Sequence, residues 1–446
     1  MINPTIKAAP IVMAGILFAA GGTAFGQSVD ALLDKLVDKG ILTVQEAKEL
    51  REETDKDFTK AYAAKSGMPE WVTALKFNGD FRGRFEQHSS DNPAFITRNR
   101  FRYRARFGVT ASLWDDFEIG LRLTSANPVG GFGGNPVSAN TDLSDNASRK
   151  FVWFDAAYAK WTPIHSGGWI ASGIIGKMDN PFALSPMVFD PDYQPEGAAA
   201  QVSYAFNDQH TLRFIGAAFV LDEFNQGPAA SHDPYMAGGQ LLWEAKWSAK
   251  WESSLTAAAF GFGSRDNLLN AATPNVNDGN TRNANGAPLY NFNPILAGAS
   301  LTYKLDHFPL YKEVFPIKLA GEYMNNPAAP SQNEGWWLGA TFGKAGKKGL
   351  WEVSYKYERL EGDAIFEELP DDDFGAFYQA GFANSGNGAG YRGGTNVKGH
   401  VVKLTYNFTD HMNLAFTYYL TELIVPNPAN SVSASSHFMA DLMWRF

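Results

Sequence analysis

Strict alternation of polar and apolar side chains over long stretches is the dominant pattern of this chain. Between residues 98 and 113 the even positions begin with five arginines, and the odd positions carry mainly aromatic and aliphatic side chains. Residues 75–87 alternate in the same way, with Phe77, Phe81 and Phe85 on the apolar face. Because successive side chains of a strand point to opposite faces, each segment predicts a strand with one apolar and one charged face. A strand that lies between lipid and a water-filled lumen requires this division.

The same reading predicts sixteen strands after Pro69. Their predicted limits are 75–87, 97–113, 117–126, 151–162, 169–177, 196–206, 210–222, 235–247, 251–263, 292–305, 314–325, 335–344, 350–360, 395–408, 412–424 and 436–446. Short turns alternate with long connections that are rich in Gly, Asn, Asp and Pro, a pattern typical of outer-membrane barrels. The chain is therefore predicted to be an all-β transmembrane protein, a 16-stranded antiparallel barrel. An even strand number returns both ends to the short-turn side, which is the periplasm.

The first part of the chain predicts different structures. Residues 1–26 have the features of a secretory signal peptide: a single charge at Lys7, a short apolar core, and small residues before Gln27. Residues 27–67 predict a periplasmic α-helical segment, in which residues 43–46 form a capping box. This segment could self-associate as a coiled coil, contact peptidoglycan, or act as a spacer, and the sequence leaves the three open. Residues 68–446 form the predicted barrel domain.

Composition restricts the function further. The chain has 446 residues, no cysteine, 14% aromatic residues and a formal net charge of −9. The absence of cysteine removes disulfides, Cys-based zinc sites and thiol catalysis. The acidic balance argues against a nucleic-acid partner. No apolar run reaches the roughly 18 residues that a mature transmembrane helix needs.

No motif for catalysis, a cofactor or a metal is present. The eight histidines belong to no nucleophile elbow and to no zinc motif. The sequence therefore predicts no enzyme and no cofactor. A barrel enzyme, an adhesin or anchor, and a substrate-specific channel for phosphate or another anion remain as alternatives to passive diffusion of small hydrophilic solutes.

At this point the chain resembles bacterial outer-membrane porins, most closely the sixteen-stranded family called putative porins, which is related to general and phosphate-selective porins. The resemblance rests on residues 176–182, residues 190–197, two acidic motifs within residues 361–375, and the terminal Phe446. It implies a homotrimer in outer-membrane lipid, with the third external loop, residues 178–195, folded into the lumen. The Asn-rich loop 264–291 has no role that the resemblance supplies.

The candidate pore-lining residues combine arginines on the first strands with acids near the third loop. They are Arg82, Arg84, Arg100, Arg102, Arg104, Arg106, Arg122, Asp179, Asp190, Asp192 and Glu196. We expect a transverse field between the two sets that orients solutes and gives either a weak anion preference or near-neutral selectivity. Two simpler interpretations stay open: the arginines pair across strands with Asp80, Glu86 and Glu118, and the loop acids only make turns. Solute identity and pore width are not readable from the sequence.

Overall fold

The protein was analysed as a computed structural model, which describes residues 67–91, 97–129, 133–224, 232–269, 278–375, 394–426 and 432–446. The chain divides into two compact units, Met1–Thr73 and Ala74–Phe446. Of the first unit only residues 67–73 are described. The predicted signal peptide and all but the last residue of the predicted helical segment lie outside the described residues. No helix in the described ranges has the length and apolarity needed to cross a bilayer.

The second unit is an antiparallel barrel. Its sixteen long strands are Val72–Ser90 (β1), Arg98–Leu113 (β2), Phe117–Ser125 (β3), Val152–Ser166 (β5), Trp169–Lys177 (β6), Glu196–Ala205 (β7), His210–Val220 (β8), Tyr235–Lys246 (β9), Trp251–Gly263 (β10), Ile295–Leu305 (β11), Phe315–Asn325 (β12), Glu334–Gly343 (β13), Trp351–Leu360 (β14), Val397–Asn407 (β15), Met412–Leu423 (β16) and Ser435–Arg445 (β17). A two-residue strand, Thr141–Asp142 (β4), pairs with β2 from within a long connection.

The strands close into a ring because β1 pairs with β17 as well as with β2. The β1–β17 register places Arg84 opposite Asp441, so that both side chains point inward. Phe446 continues this pairing beyond β17, since it exchanges two backbone hydrogen bonds of 3.1 Å with Gly79. Closure leaves no edge of unpaired backbone groups to face lipid.

The outward side chains form an apolar surface with aromatic residues near the short connections. Phe117 stacks on Trp161 at a centroid distance of 5.5 Å, and Trp169 lies 4.4 Å from Tyr204. Exposed aliphatic side chains lie between this rim and the long-loop rim, as Ile175 illustrates. An apolar band bordered by aromatic residues is the surface that a bilayer requires.

The inward side chains divide the interior into an apolar part and a charged part. The apolar part covers the inner wall from β8 to β12 and packs against the connection 178–195, which we call the inner loop. Its buried members include Ile215, Phe219, Met236, Phe260, Leu296 and Met324 from the wall and Met178, Phe182, Met187, Val188 and Phe189 from the inner loop. The charged part lies on β1, β2 and β3.

The sequence-based expectation of sixteen strands is confirmed, and most strand ends differ by no more than three residues from those predicted. The largest difference is an extension, since β5 runs on to Ser166 where the sequence predicted an end at residue 162. The predicted alternation of short and long connections is also present. The inner loop is the third long connection along the chain.

Candidate functional site

The predicted arginines share one inner wall of the barrel. They project inward from β1, β2 and β3 at alternate positions, as the period of two predicted. Each of them has a carboxylate oxygen within 3.8 Å. The arginines are therefore held in networks of ion pairs and do not form a row of free charges.

Near the long-loop rim the network centres on Glu86, whose side chain is fully buried. Nη2 of Arg100 lies 2.5 Å from this carboxylate, and Nη1 of Arg102 lies 3.3 Å from it. Arg84 on the same strand reaches it at 3.4 Å. Three guanidinium groups thus share one carboxylate, and a buried charge in this position depends on such partners.

Further along the wall Asp80 and Asp192 play the same part. Nε of Arg104 donates to Asp80 at 2.9 Å, and Nε of Arg106 donates to the other oxygen of Asp80 at 2.8 Å. Asp192, from the inner loop, accepts a hydrogen bond of 2.9 Å from Nη1 of Arg104. Burial acts to raise the pKa of Asp192, but the nearby guanidinium groups of Arg104, Arg82 and Arg106 together hold that pKa below its usual value.

Two of the predicted acids lie away from the arginines of β1 and β2. Asp179, on an exposed stretch of the inner loop, accepts a hydrogen bond of 2.6 Å from Arg122. Glu196, also exposed, pairs with Lys177 at 2.9 Å and does not contact the arginines. The remaining predicted acid, Asp190, is buried, and its side chain accepts the N–H of Asp192 at 2.6 Å.

The cross-strand pairing that the sequence left open is present for two of three acids. Asp80 and Glu86 pair with arginines, whereas Glu118 accepts a hydrogen bond of 2.8 Å from the hydroxyl of Tyr158. Pairing of this kind leaves the wall with little uncompensated charge.

Sequence reasoning missed several partners of the arginines. Asp441 on β17 accepts two hydrogen bonds from Arg84, at 2.6 and 2.9 Å. Asp373, from the long loop after β14, accepts a third at 3.0 Å. The inward position of Asp441 on an alternating terminal strand was visible in the sequence. Its proximity to β1 follows only from barrel closure.

The inner loop reaches from the apolar wall to the arginines. The amide of Gln240 on β9 exchanges hydrogen bonds of 2.8 and 2.9 Å with the backbone of Ala183. Ser185 donates to Glu322 on β12 at 2.5 Å. At the other end of the loop, Asp192 bonds Arg104 on β2. Side chains of three well-separated strands therefore hold the inner loop inside the barrel.

A second long connection, residues 361–375, packs on the inner loop and is called here the covering loop. The N–H of Asp190 donates to the carbonyl of Leu369 at 2.6 Å, and the N–H of Asp371 donates to that of Pro186 at 3.0 Å. The described end of the Asn-rich connection packs on the covering loop in turn. There Arg282 and Glu367 form an ion pair with both side chains fully buried.

Three carboxyl groups meet where the inner and covering loops touch. Asp190, Asp371 and Asp372 have side-chain oxygens within 4.8 Å of one another. Burial, followed by repulsion from Asp373, raises the pKa of Asp371 to about 7. Burial and the charge of Asp371 also raise the pKa of Asp190 above its usual value. These groups therefore bind protons more readily than ordinary aspartates.

A second group of possible metal donors lies on the wall. Glu86, His88 and His437 have donor atoms within 4.8 Å of one another, and the two imidazole rings stack at a centroid distance of 3.9 Å. Glu86 already pairs with three arginines. Guanidinium groups in contact with the carboxylate oppose the approach of a further cation, and we assign no metal to this group.

Between the arginine wall and the opposite wall lies a cavity of about 640 Å³. At one end it touches Asp190 and Asp371 of the two loops, and at the other it touches Asn407 and Asn413, which flank a short connection. The opposite wall is built by β12 to β16. The cavity thus follows the inside of the barrel from the long loops to the short turns.

One family model and several solved porin structures match the chain. The family model described as "Putative porin" matches residues 92–291, a little under half of the chain. Among solved structures, a mutant of the Rh. blastica porin is 9% identical, covers 84% of this chain and 100% of its own, and has a TM-score of 0.40. Pseudomonas putida OprB is 11% identical, with coverage of 83% and 93% and a TM-score of 0.49. No curated relative matches the sequence.

The closed sixteen-stranded ring, with an apolar outside and a charged inside, defines a channel-type transmembrane β-barrel. The family match confirms the resemblance to putative porins over the stretch that it covers. The family match over residues 92–291 and the barrel fold together support porin function in an outer membrane and favour a channel.

Proposed function

We propose that this protein is an outer-membrane porin through which small hydrophilic solutes and ions diffuse passively. The path is the cavity between the arginine wall and the wall of β12 to β16. The inner loop narrows it, and carboxylates of that loop stand opposite arginines of β1 to β3. We further propose a homotrimer in outer-membrane lipid, with residues 27–67 in the periplasm.

The observation that carries this proposal is the extent of the polar cavity. It is lined by charged and hydroxyl side chains and touches both the long loops and a short connection. A barrel that served as an anchor alone needs no such polar path. A barrel enzyme needs a nucleophile, a base and an orienting group together, whereas many of the charged residues that line the cavity are held in ion pairs.

The paired charges suggest how the lumen orients a passing solute. Arg104 and Asp192 face each other across the boundary between wall and inner loop, and low-dielectric surroundings strengthen the field between them. A dipolar solute that passes this point is oriented by the field. Because each arginine is balanced by a carboxylate, the ladder contributes orientation more than net charge.

Solute passage can be measured by liposome swelling. Liposomes that contain the purified protein should swell in isotonic solutions of small neutral sugars, at rates that fall steeply with sugar size. Protein-free liposomes supply the control. Swelling no faster than the control for the smallest sugar contradicts the proposal.

A further inference from the structure

Four inward side chains lie in one row on the wall that faces the arginines. In the strand registers Lys318 on β12 lies opposite Thr341 on β13, and Thr341 lies opposite Ser354 on β14. Ser354 lies opposite Lys403 on β15. All four line the cavity. We call this set the lysine row.

The row spans three strand spacings, so its two lysine Cα atoms lie about 14 Å apart along the wall. Lysine side chains are long and flexible. On the inside of a barrel the wall is concave, so side chains from separate strands lean towards the same point in the lumen. The two ammonium groups can therefore approach one small solute from either side, while the hydroxyls of Thr341 and Ser354 lie between them.

The lysine row differs from the arginines in its lack of partners. Both lysines are exposed to the lumen, and neither has a carboxylate within ion-pair distance among the described residues. The other inward lysines of this side are paired: Lys304 with Glu252, and Lys356 with Glu358. Free ammonium groups beside water act on passing ions more strongly than compensated guanidinium groups.

One acid lies near the row and sets a limit on its net charge. Glu352 is the next inward residue of β14 towards the short connections, and it also lines the cavity. The row and Glu352 together still carry more positive than negative charge. At the loop end, Asp371 is partly protonated at neutral pH because burial raises its pKa to about 7, which weakens the opposing negative charge.

We propose that the lysine row is a transient binding site for small oxyanions of the phosphate or sulfate type, and that it sets the ion preference of the lumen more than the arginines do. The row offers ammonium donors with positive charge at both ends and hydroxyls, which can also donate, in the centre; both match the acceptor oxygens of an oxyanion. Because the sites are exposed to water, binding is weak enough to permit release. This inference rests on the proposed porin function.

The test is single-channel recording with chloride as the charge carrier and inorganic phosphate as the probe. Added phosphate should reduce the chloride current of the unmodified protein in a concentration-dependent way. The double variant Lys318→Gln/Lys403→Gln should lose both this block and the preference for chloride over potassium. Lys318→Arg/Lys403→Arg, which keeps the charges, should retain both.

A matched control comes from the neighbouring ion pair. Lys304→Gln/Glu252→Gln removes a lysine from the same side of the lumen without changing net charge, and block and selectivity should persist. If the channel conducts but phosphate block is absent, or survives in the double glutamine variant, the lysine-row inference is overturned while porin function stands. A protein that conducts nothing contradicts the porin proposal itself.

Discussion

Asp192 of the inner loop and Arg104 of β2 are joined by a hydrogen bond of 2.9 Å. Both side chains are largely buried, and Arg104 bonds Asp80 with its other nitrogens. The contact therefore does two things at once. It fixes one end of the inner loop to the wall, and it balances one of the arginine charges.

The Arg104–Asp192 pair permits a charge test with a built-in control. Asp192→Asn leaves Arg104 with less compensation, so the channel should shift towards anions. Arg104→Gln should shift it towards cations. The double variant restores the balance and should return close to the original reversal potential, because the two effects act on one pair. The measurement is the reversal potential under a salt gradient. If the double variant shifts this potential as far as one of the single variants does, the pairing is contradicted.

The buried pair Arg282–Glu367 should stabilise the packing of the long loops. Arg282→Ala leaves a buried carboxylate without its partner, which typically costs about 3–5 kcal/mol. We expect the covering loop to loosen and limited proteolysis to cleave it faster, while the barrel strands stay protected.

The control for this prediction lies on the same connection. Arg265 pairs with the exposed Asp266, and exposed pairs contribute little. Arg265→Ala should leave the cleavage rate near that of the unmodified protein. Similar rates for Arg265→Ala and Arg282→Ala would mean that the buried pair does not hold the loops.

Ion selectivity should depend on pH near neutrality through Asp371. Its pKa is raised to about 7, so the carboxyl group is neutral in acid and gains its charge as pH rises through this value. Anion preference should therefore fall as pH rises from about 6 to 8. The folded pKa lies above the usual value of 3.8, so this group stabilises the loop packing at low pH and loses that contribution as pH rises towards and past 7.

Asp371→Asn removes this titration, and the variant should show a flatter dependence of reversal potential on pH. Asp145→Asn, at an exposed position of another long connection, should leave the dependence unchanged. If Asp371→Asn keeps the full dependence, another group titrates and the assignment fails.

Barrel closure should be sensitive to a side chain at Gly79. A Cβ at this position would meet the carbonyl oxygen of Arg106 at 2.3 Å and the ring of Phe446 at 2.6 Å. Gly79→Val should therefore lower the yield of folded barrel, as judged by heat-modifiable mobility in gel electrophoresis. Gly83→Val, two outward positions further along β1 with no atom within 4 Å of an added Cβ, should fold like the unmodified protein.

The strands were predictable because their physical signal is local. Side chains that alternate between lipid and water leave a period of two along the sequence, and the sixteen predicted segments are found. The inward position of Arg100, Arg102 and Arg104 follows from the same period. The place of the inner loop follows from counting long connections.

The partners of those arginines were less predictable because they come from distant parts of the chain. Asp441 approaches Arg84 only when the last strand pairs with the first. Asp373 reaches Arg84 from a loop, and the periodicity of the sequence does not predict the path of a loop. The apolar packing of the inner loop on β8 to β12 was likewise missed, because the sequence around Phe260 shows only that this residue belongs to a strand. Lys318 and Lys403 could be recognised as one set only from the strand registers, which place them in one row.

The most direct test of an open lumen uses two tryptophan variants of β12. Ala320 points into the cavity, whereas its neighbour Leu319 is exposed on the outer face. If ions pass through the barrel, single-channel conductance should fall markedly in Ala320→Trp and stay near that of the unmodified protein in Leu319→Trp. Equal conductance in both variants, or no current from the unmodified protein, would contradict the account.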